Sequence, residues 1–393
     1  MYSLKNDYKK STSPWDISLY SRCSMLKQYI KNKYMISILI YEFPDTSTFR
    51  YRGYNLMQIT QHSSNSQWKC VYFFRHELKS LEEFFYKIHL ITIIRVRWNQ
   101  DLDDFIVKAK TRNIKVLFDV DDLIFDLNYL PLLHNTLNVN SSELDYDFWF
   151  SCVSRIGFTA SKADGFITTN DYLGDRLKNK FQKEVRIIPN FINQEQLEVS
   201  YSLCKQKAKI KSHEPFTIGY FSGTPSHIND FKIVYKELMA LLDDYKMRLL
   251  VVGFMEFPAE MQEFINSGKI IYTPLVDFIE LQRQIAQVDV NIVPLVNNTF
   301  TNCKSELKFF EAAIVKTPTL TTPTFTYKQC IQESENGFLC KEGEWYEKIA
   351  YLFNNNTIGK NIVKRAYDYA MENYCGDSIL KKINEAYTVF SSK

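Results

Sequence analysis

The sequence predicts an α/β fold of two facing Rossmann-like domains, with C-terminal helices bracing both. Three observations carry that prediction. Short continuous apolar runs recur from Met35 onward, the form taken by strands buried on both faces of a parallel sheet. Amphipathic stretches separate them and supply the crossover helices that parallel strands need. The pattern stops once and restarts, across a polar stretch at 190–215, so the 393 residues divide into two large units, as their length alone favours.

In the first unit the apolar runs are MISILIY (35–41), WKCVYFF (68–74), LITIIRV (90–96), IKVLFDV (114–120), GFITT (165–169) and VRIIP (185–189). The second unit has FTIGYF (216–221), MRLLVVG (247–253), IIYTPL (270–275), VDVNIVPL (288–295) and TPTLTT (317–322), alternating with helical segments such as 230–245. Beyond residue 343 three helical patterns follow one another, at 344–353, 360–373 and 378–390, too many for one more βα unit. The expected division is a basic extension at 1–34, a first lobe at 35–205, a second at 215–345 and terminal helices at 346–393. Facing sheets of this kind leave a gap between their carboxyl ends, where ligands bind.

Residues 1–34 hold seven basic side chains (Lys5, Lys9, Lys10, Arg22, Lys27, Lys31, Lys33) against Asp7 and Asp16, a local net of +5. Two readings stand: an edge touching anionic lipid, where each cation is worth about 1 kcal/mol, or a solvated leader. Over the whole chain the formal charge is only +3, which excludes a dedicated nucleic-acid binder. Hydrophobic residues at 45% and charged residues at 24% exclude a disordered chain. The eight cysteines form no CxxC and no cluster at zinc-ligand spacing, which predicts reduced thiols in the cytoplasm. The first thirty residues lack the apolar core of a secretion signal, and the longest aliphatic runs are far shorter than a membrane span. The expected location is cytoplasmic, with peripheral contact at the inner face of the membrane if the lipid reading of the extension holds.

The most informative stretch is Thr301-Asn302-Cys303-Lys304-Ser305-Glu306-Leu307-Lys308-Phe309-Phe310-Glu311, which follows a strand and is expected to open a helix. At 100° per residue Lys304, Lys308 and Glu311 fall at about 0°, 40° and −20°, one polar stripe, with Leu307, Phe310 and Ile314 on the core side. A helix N-terminus with free N–H groups receives phosphate, and added lysines neutralise a diphosphate. The bland alternative is a surface helix with Lys/Glu pairs worth about 0.2–0.5 kcal/mol each. The segment Phe221-Ser222-Gly223-Thr224-Pro225-Ser226-His227 occupies the phosphate-loop position after the first strand of the second lobe. There Gly223 permits close backbone approach, Ser222 and Thr224 add hydroxyls, and His227 donates to a phosphate or sugar oxygen; an ordinary βα turn is the alternative.

In the first lobe Asp119, Asp121 and Asp122 end a buried strand. They read as a metal-chelating pair, as one wall of an acceptor site, or as caps and ion-pair partners of Arg95 or Arg97. Arg50, Tyr51 and Arg52 lie in the loop facing the gap, where an arginine grips an anion bidentately or is simply solvated.

Taken together, IGYFSGTPSH, LLVVG, VDVNIVPL, KSELKFFEAA and Asn336-Gly337-Phe338-Leu339 resemble the donor lobe of GT-B glycosyltransferases of the family 4 type, over roughly residues 215–345. The first lobe, through FRYRGYN, KVLFDVDDLIFD, ADGFITTNDYL and IIPN, looks like bacterial members that build surface polysaccharides. The resemblance implies a nucleotide-diphospho-sugar co-substrate in the second lobe and no resident cofactor. It also implies retaining, metal-independent transfer of a hexosyl or deoxyhexosyl unit to a glycan, lipid-linked or protein acceptor. By position, Glu311 matches the glutamate that holds the nucleotide ribose. Lys304 and Lys308, with Ser305 between them, match the region near the diphosphate, and Ser222, Gly223 and Thr224 match the first donor-lobe loop. Lys304, Lys308 and His227 are the expected catalytic groups; Arg50, Arg52, Asp119, Asp121 and Asp122 are expected on the acceptor side. Two departures stand out. Cys303 occupies the position of a second family glutamate eight residues before Glu311, and no arginine ends the first donor-lobe strand. A metal-dependent transferase built on the aspartates and a catalytically silent scaffold are the competing readings.

Overall fold

The structure is a computed structural model that describes residues 1–137, 142–210, 213–223 and 228–391. Two parallel six-stranded sheets form its frame. The first contains β1 (Met35–Tyr41), β2 (Trp68–Phe74), β3 (Leu90–Ile94), β4 (Lys115–Val120), β5 (Gly165–Thr168) and β6 (Val185–Ile187), in the order β2-β1-β3-β4-β5-β6. The second contains β7 (Phe216–Gly223), β8 (Met247–Gly253), β9 (Ile270–Thr273), β10 (Val290–Val293), β11 (Thr319–Thr321) and β12 (Phe338–Leu339), in the order β12-β11-β10-β7-β8-β9. Every apolar run named above became a strand. The continuous apolar character is explained by burial on both faces, complete along β2 and nearly so along β1, β4 and β8.

Helices begin where side chains accept the orphan N–H groups of the first turn. Asn99, Ser142, Asn170, Asn193 and Asp277 each cap a helix in this way, and such a cap is typically worth about 1 kcal/mol. The polar stretch at 190–215 is not only a linker: Gln194–Lys207 is a helix that packs on the second lobe, with Gln282 donating to Ser200 at 3.0 Å. The terminal helices are Trp345–Asn354, Asn356–Asn373 and Gly376–Ser391. Trp345 and Ile349 join the second-lobe core, whereas Ile379, Tyr387 and Phe390 join the first-lobe core, so the chain returns to its starting lobe.

The basic extension is packed rather than a free leader. Trp15 is buried against Phe49 and Tyr54 of the first lobe and Phe278 of the second. Arg22, on the helix Leu19–Lys31, is buried in a bidentate pair with Glu77 at 2.7 Å per bond, and Lys10 pairs with Glu198 at 2.7 Å. These two of the seven cations are committed to carboxylates of the protein itself. Among the described residues no helix is long and apolar enough to cross a membrane.

Candidate functional site

In each sheet the strand order reverses direction once, and the loops leaving the two strands at that point open a crevice at their carboxyl ends. In the second lobe the crevice lies between β7 and β10; in the first it lies between β1 and β3. The two segments that sequence reading singled out leave β7 and β10.

The β7 loop begins at Gly223, whose φ of +81° lies in the left-handed region that glycine tolerates. A register shift between Phe221 and Gly223 throws the backbone against β8, where a Cβ on Gly253 would lie 2.6 Å from the Gly223 nitrogen. Gly253 is therefore part of the loop's construction, signalled beforehand only by its place at a strand end. Ser222 is buried and hydrogen-bonds Tyr220. Thr224 and His227 lie outside the described residues.

After β10 the chain does not enter one long helix. Asn298 caps a single turn, Thr299–Asn302, and residues 303–306 form a bend before the helix Leu307–Ala313 begins. The cause is local: Glu306 is held at φ −79°, ψ +24°, outside the helical well. Lys304 therefore does not share a helical stripe with Lys308 and Glu311, which remain one turn apart on the helix, and the expected stripe of three is corrected to two.

Lys308 is half-buried beside the Tyr220 ring of β7, 5.9 Å from its centroid. Burial pulls its ammonium pKa down to about 8, against the opposing pull of Asp230. Asp230 also accepts from the Val296 N–H at 2.8 Å, binding the β10 exit to the β7 side. Lys304 faces across the gap, its Nζ 3.8 Å from Asp122 of the first lobe. Ser305 is buried beside Glu306. Cys303 is fully buried, burial pushes its thiol up to about 12, and its carbonyl accepts from Asn170 of the first lobe at 2.9 Å.

Glu311 is buried between the lobes. Its Oε1 accepts from Tyr51, from Gln196 at 3.3 Å and from Arg50 at 3.5 Å, two residues of the first lobe and one of the connecting helix. Arg50 stacks on Tyr51 and Phe278, and its Nη1 is buried without a partner among the described residues. Arg50 is thus a neighbour of the second-lobe glutamate rather than of an open acceptor surface.

Arg52 and Asp119 are corrected more strongly. Both are fully buried and paired with each other, Nε to Oδ1 at 2.9 Å and Nη2 to Oδ2 at 2.8 Å, while Nη1 donates to the Ile188 carbonyl and to Asn190. Burial opposes the Arg52 charge, yet the Asp119 carboxylate more than compensates and raises its pKa. The pair ties β4 to the segment after β6 and has nothing left to offer an acceptor. Asp121 and Asp122 do face the gap. Arg95 donates to Asp121 at 3.0 Å, to Asp122 at 3.4 Å and to Thr48 at 2.7 Å, and Thr48 in turn donates to Asp121. Arg95 holds a left-handed φ of +50°, a strain of the kind stored at functional sites. Among the described residues no three metal-ligating side chains converge. Sequence reading missed Thr48, Gln196 and Asn170, whose roles arise from contacts more than 70 residues distant.

Comparison with known proteins agrees with this geometry. The sequence profile of the family described as Glycosyl transferases group 1 matches residues 215–355. No curated protein matches the chain by sequence. Among solved structures, the sucrose-phosphate synthase of Thermosynechococcus elongatus is 14% identical, aligns over 92% of this chain and 100% of its own, and superposes with a TM-score of 0.57. A glycosyltransferase of Rickettsia africae is 14% identical over 91% of this chain and 98% of its own, with a TM-score of 0.59. Anabaena HepE, solved with UDP, is 12% identical over 90% of this chain and 100% of its own, with a TM-score of 0.57. The chain has the GT-B fold, and its second lobe carries the sequence pattern of the group 1 glycosyl transferases.

Proposed function

We propose that the protein transfers a sugar from a nucleotide-diphospho-sugar to an acceptor in the gap between the lobes. One observation carries the reading: Lys308 sits half-buried beside the β7 strand, in the lobe whose crevice lies between β7 and β10. The binding of UDP and UDP-glucose by Anabaena HepE, a structure of like fold, supports the donor class. As the glycosidic C–O bond breaks, charge collects on the departing diphosphate, and Lys308 and Lys304 stabilise it more than they stabilise the bound donor. Metal-independence is part of the proposal, supported by the occupation of Asp121 and Asp122 by Arg95, Thr48 and Lys304. Retention at the anomeric carbon is carried from the family resemblance. For Glu311 the reading assigns the ribose to Oε2, because Tyr51, Gln196 and Arg50 all donate to Oε1.

A thermal-shift panel of UDP, GDP, dTDP and their sugars tests the reading. A nucleotide at 100 times its Kd stabilises the fold by about 2.7 kcal/mol, a rise of several degrees in Tm. Indifference to every nucleotide rejects the reading in favour of a silent scaffold, the alternative suggested by Cys303 standing buried where the family resemblance implies a glutamate.

The depressed Lys308 pKa adds a pH signature. The free enzyme loses the Lys308 charge as pH rises through about 8, so donor affinity is highest below that value and falls above it. The same shift makes the fold more stable as pH rises from about 8 towards the ordinary lysine range, since only the unfolded chain keeps that proton there. Donor Kd measured from pH 7 to 9 should climb in the native protein and stay flat in Lys308→Ala; a flat native profile removes Lys308 from the diphosphate site.

A further inference from the structure

The amino ends of the second-lobe strands surround a cavity of about 760 Å³. Lys246, Asp289 and Pro318 are the residues before β8, β10 and β11, and Phe216 opens β7. The terminal helices contribute Phe353 and Lys360, and the basic extension contributes Tyr2. The gap between the lobes lies at the opposite ends of the same strands. β7 is eight residues long, so at about 3.3 Å per residue roughly 23 Å separates the two places. A volume of this order is that of a small-molecule site.

Four lysines and two carboxylates line this cavity, and both carboxylates are already matched. Glu214 pairs with Lys246, while Asp289 meets His213 Nε2 at 3.0 Å on one oxygen and accepts the Thr217 N–H at 2.7 Å on the other. Lys207, Lys316 and Lys360 have no carboxylate within ion-pair distance among the described residues. Lys207, half-buried at the end of the helix Gln194–Lys207, donates to the Thr317 hydroxyl at 3.0 Å and the Lys316 carbonyl at 3.2 Å. Burial pulls its ammonium pKa down to about 8, with Asp289 opposing, as befits a cation whose surroundings supply too little negative charge. Aromatic rings stand beside these cations: Tyr2 lies edge-on to His213 at 3.7 Å and under Lys207 at 4.6 Å, and Phe216 packs against Phe353 at 5.5 Å. Unmatched cations next to ring faces suit an anion carried on an organic body, and three of them favour a phosphate, near −2 at neutral pH, over a single carboxylate.

We propose that this cavity binds a small phosphomonoester, its phosphate beside Lys207, Lys316 and Lys360 and its body against Tyr2, Phe216 and Phe353. The inference stands apart from the transferase reading. At roughly 23 Å from the gap the ligand is neither donor nor acceptor but an additional one.

Calorimetric titration of the full chain with glucose 6-phosphate, phenyl phosphate and inorganic phosphate tests it. At least one of the two esters should bind at least about tenfold tighter than inorganic phosphate, because only an ester also meets the ring faces. Combining Lys316→Gln with Lys360→Gln should weaken ester binding by at least about tenfold, whereas Lys316→Arg with Lys360→Arg, which keeps both charges, should stay within a few-fold of native. Both lysines are exposed, so either variant should keep its ligand-free Tm. Lys308→Ala should bind the ester as the native chain does, since its lysine belongs to the gap. Three results overturn the inference. Esters that bind no tighter than inorganic phosphate, or not at all, leave an adventitious ion only. Native-like ester binding by the glutamine variant removes the lysines from the site. Loss of ester binding in Lys308→Ala places the anion in the gap instead.

Discussion

Replacing Lys308 with alanine lowers turnover by about 10²–10³-fold while the protein stays folded. The magnitude is that of removing one preorganised donor from a site where negative charge develops. The substitution is not expected to destabilise the fold, because the lysine is held against its own desolvation; its depressed pKa records that cost. A drop in turnover with Tm unchanged or slightly raised is therefore the expected pair of results. Near-normal turnover removes Lys308 from the chemistry, and lost activity with lost folding would assign it a packing role. The effect should fall on kcat more than on KM, since the stabilisation sought is greater for the departing diphosphate than for the bound donor.

Asp119→Ala has the largest expected effect on stability. It strands the Arg52 guanidinium, fully buried and bonded on three sides, without a counter-charge, and breaking a buried pair in this way costs about 3–5 kcal/mol. Denaturant unfolding should register the loss, and the combined Arg52→Met, Asp119→Leu variant should recover much of it, because replacing both charges with apolar groups removes the uncompensated ion. A single variant as stable as the native protein would mean that water reaches Arg52 and that the pair is not the tie between β4 and the segment after β6.

The strands were legible because burial on both faces leaves no room for polar alternation, and β12 was not, since Phe338–Leu339 is too short to show any pattern. The site was legible in part. Lys308 follows from its place after a strand, but its separation from Lys304 depends on a bend at 303–306 that helical periodicity cannot foresee. Three acids at a strand end were recognised as unusual; which of them turn inward was decided by Arg52, 67 residues away. The extension was misread because its net charge says nothing of Trp15 and Arg22, the residues that anchor it. Local patterns report which side of an element is apolar, whereas a buried ion pair is fixed by two distant segments meeting, and one sequence does not record that meeting.

Glu311 bridges the lobes through Tyr51 and Arg50 while standing where a nucleotide is expected to rest. Occupancy and hinge stiffness then draw on one carboxylate and are thermodynamically linked. A ligand that recruits this oxygen pair loosens or tightens the articulation, and by reciprocity anything that fixes the articulation alters the ligand's affinity. The two effects are equal whichever comes first: whatever the nucleotide does to the contact between the lobes, fixing that contact does to the nucleotide's affinity.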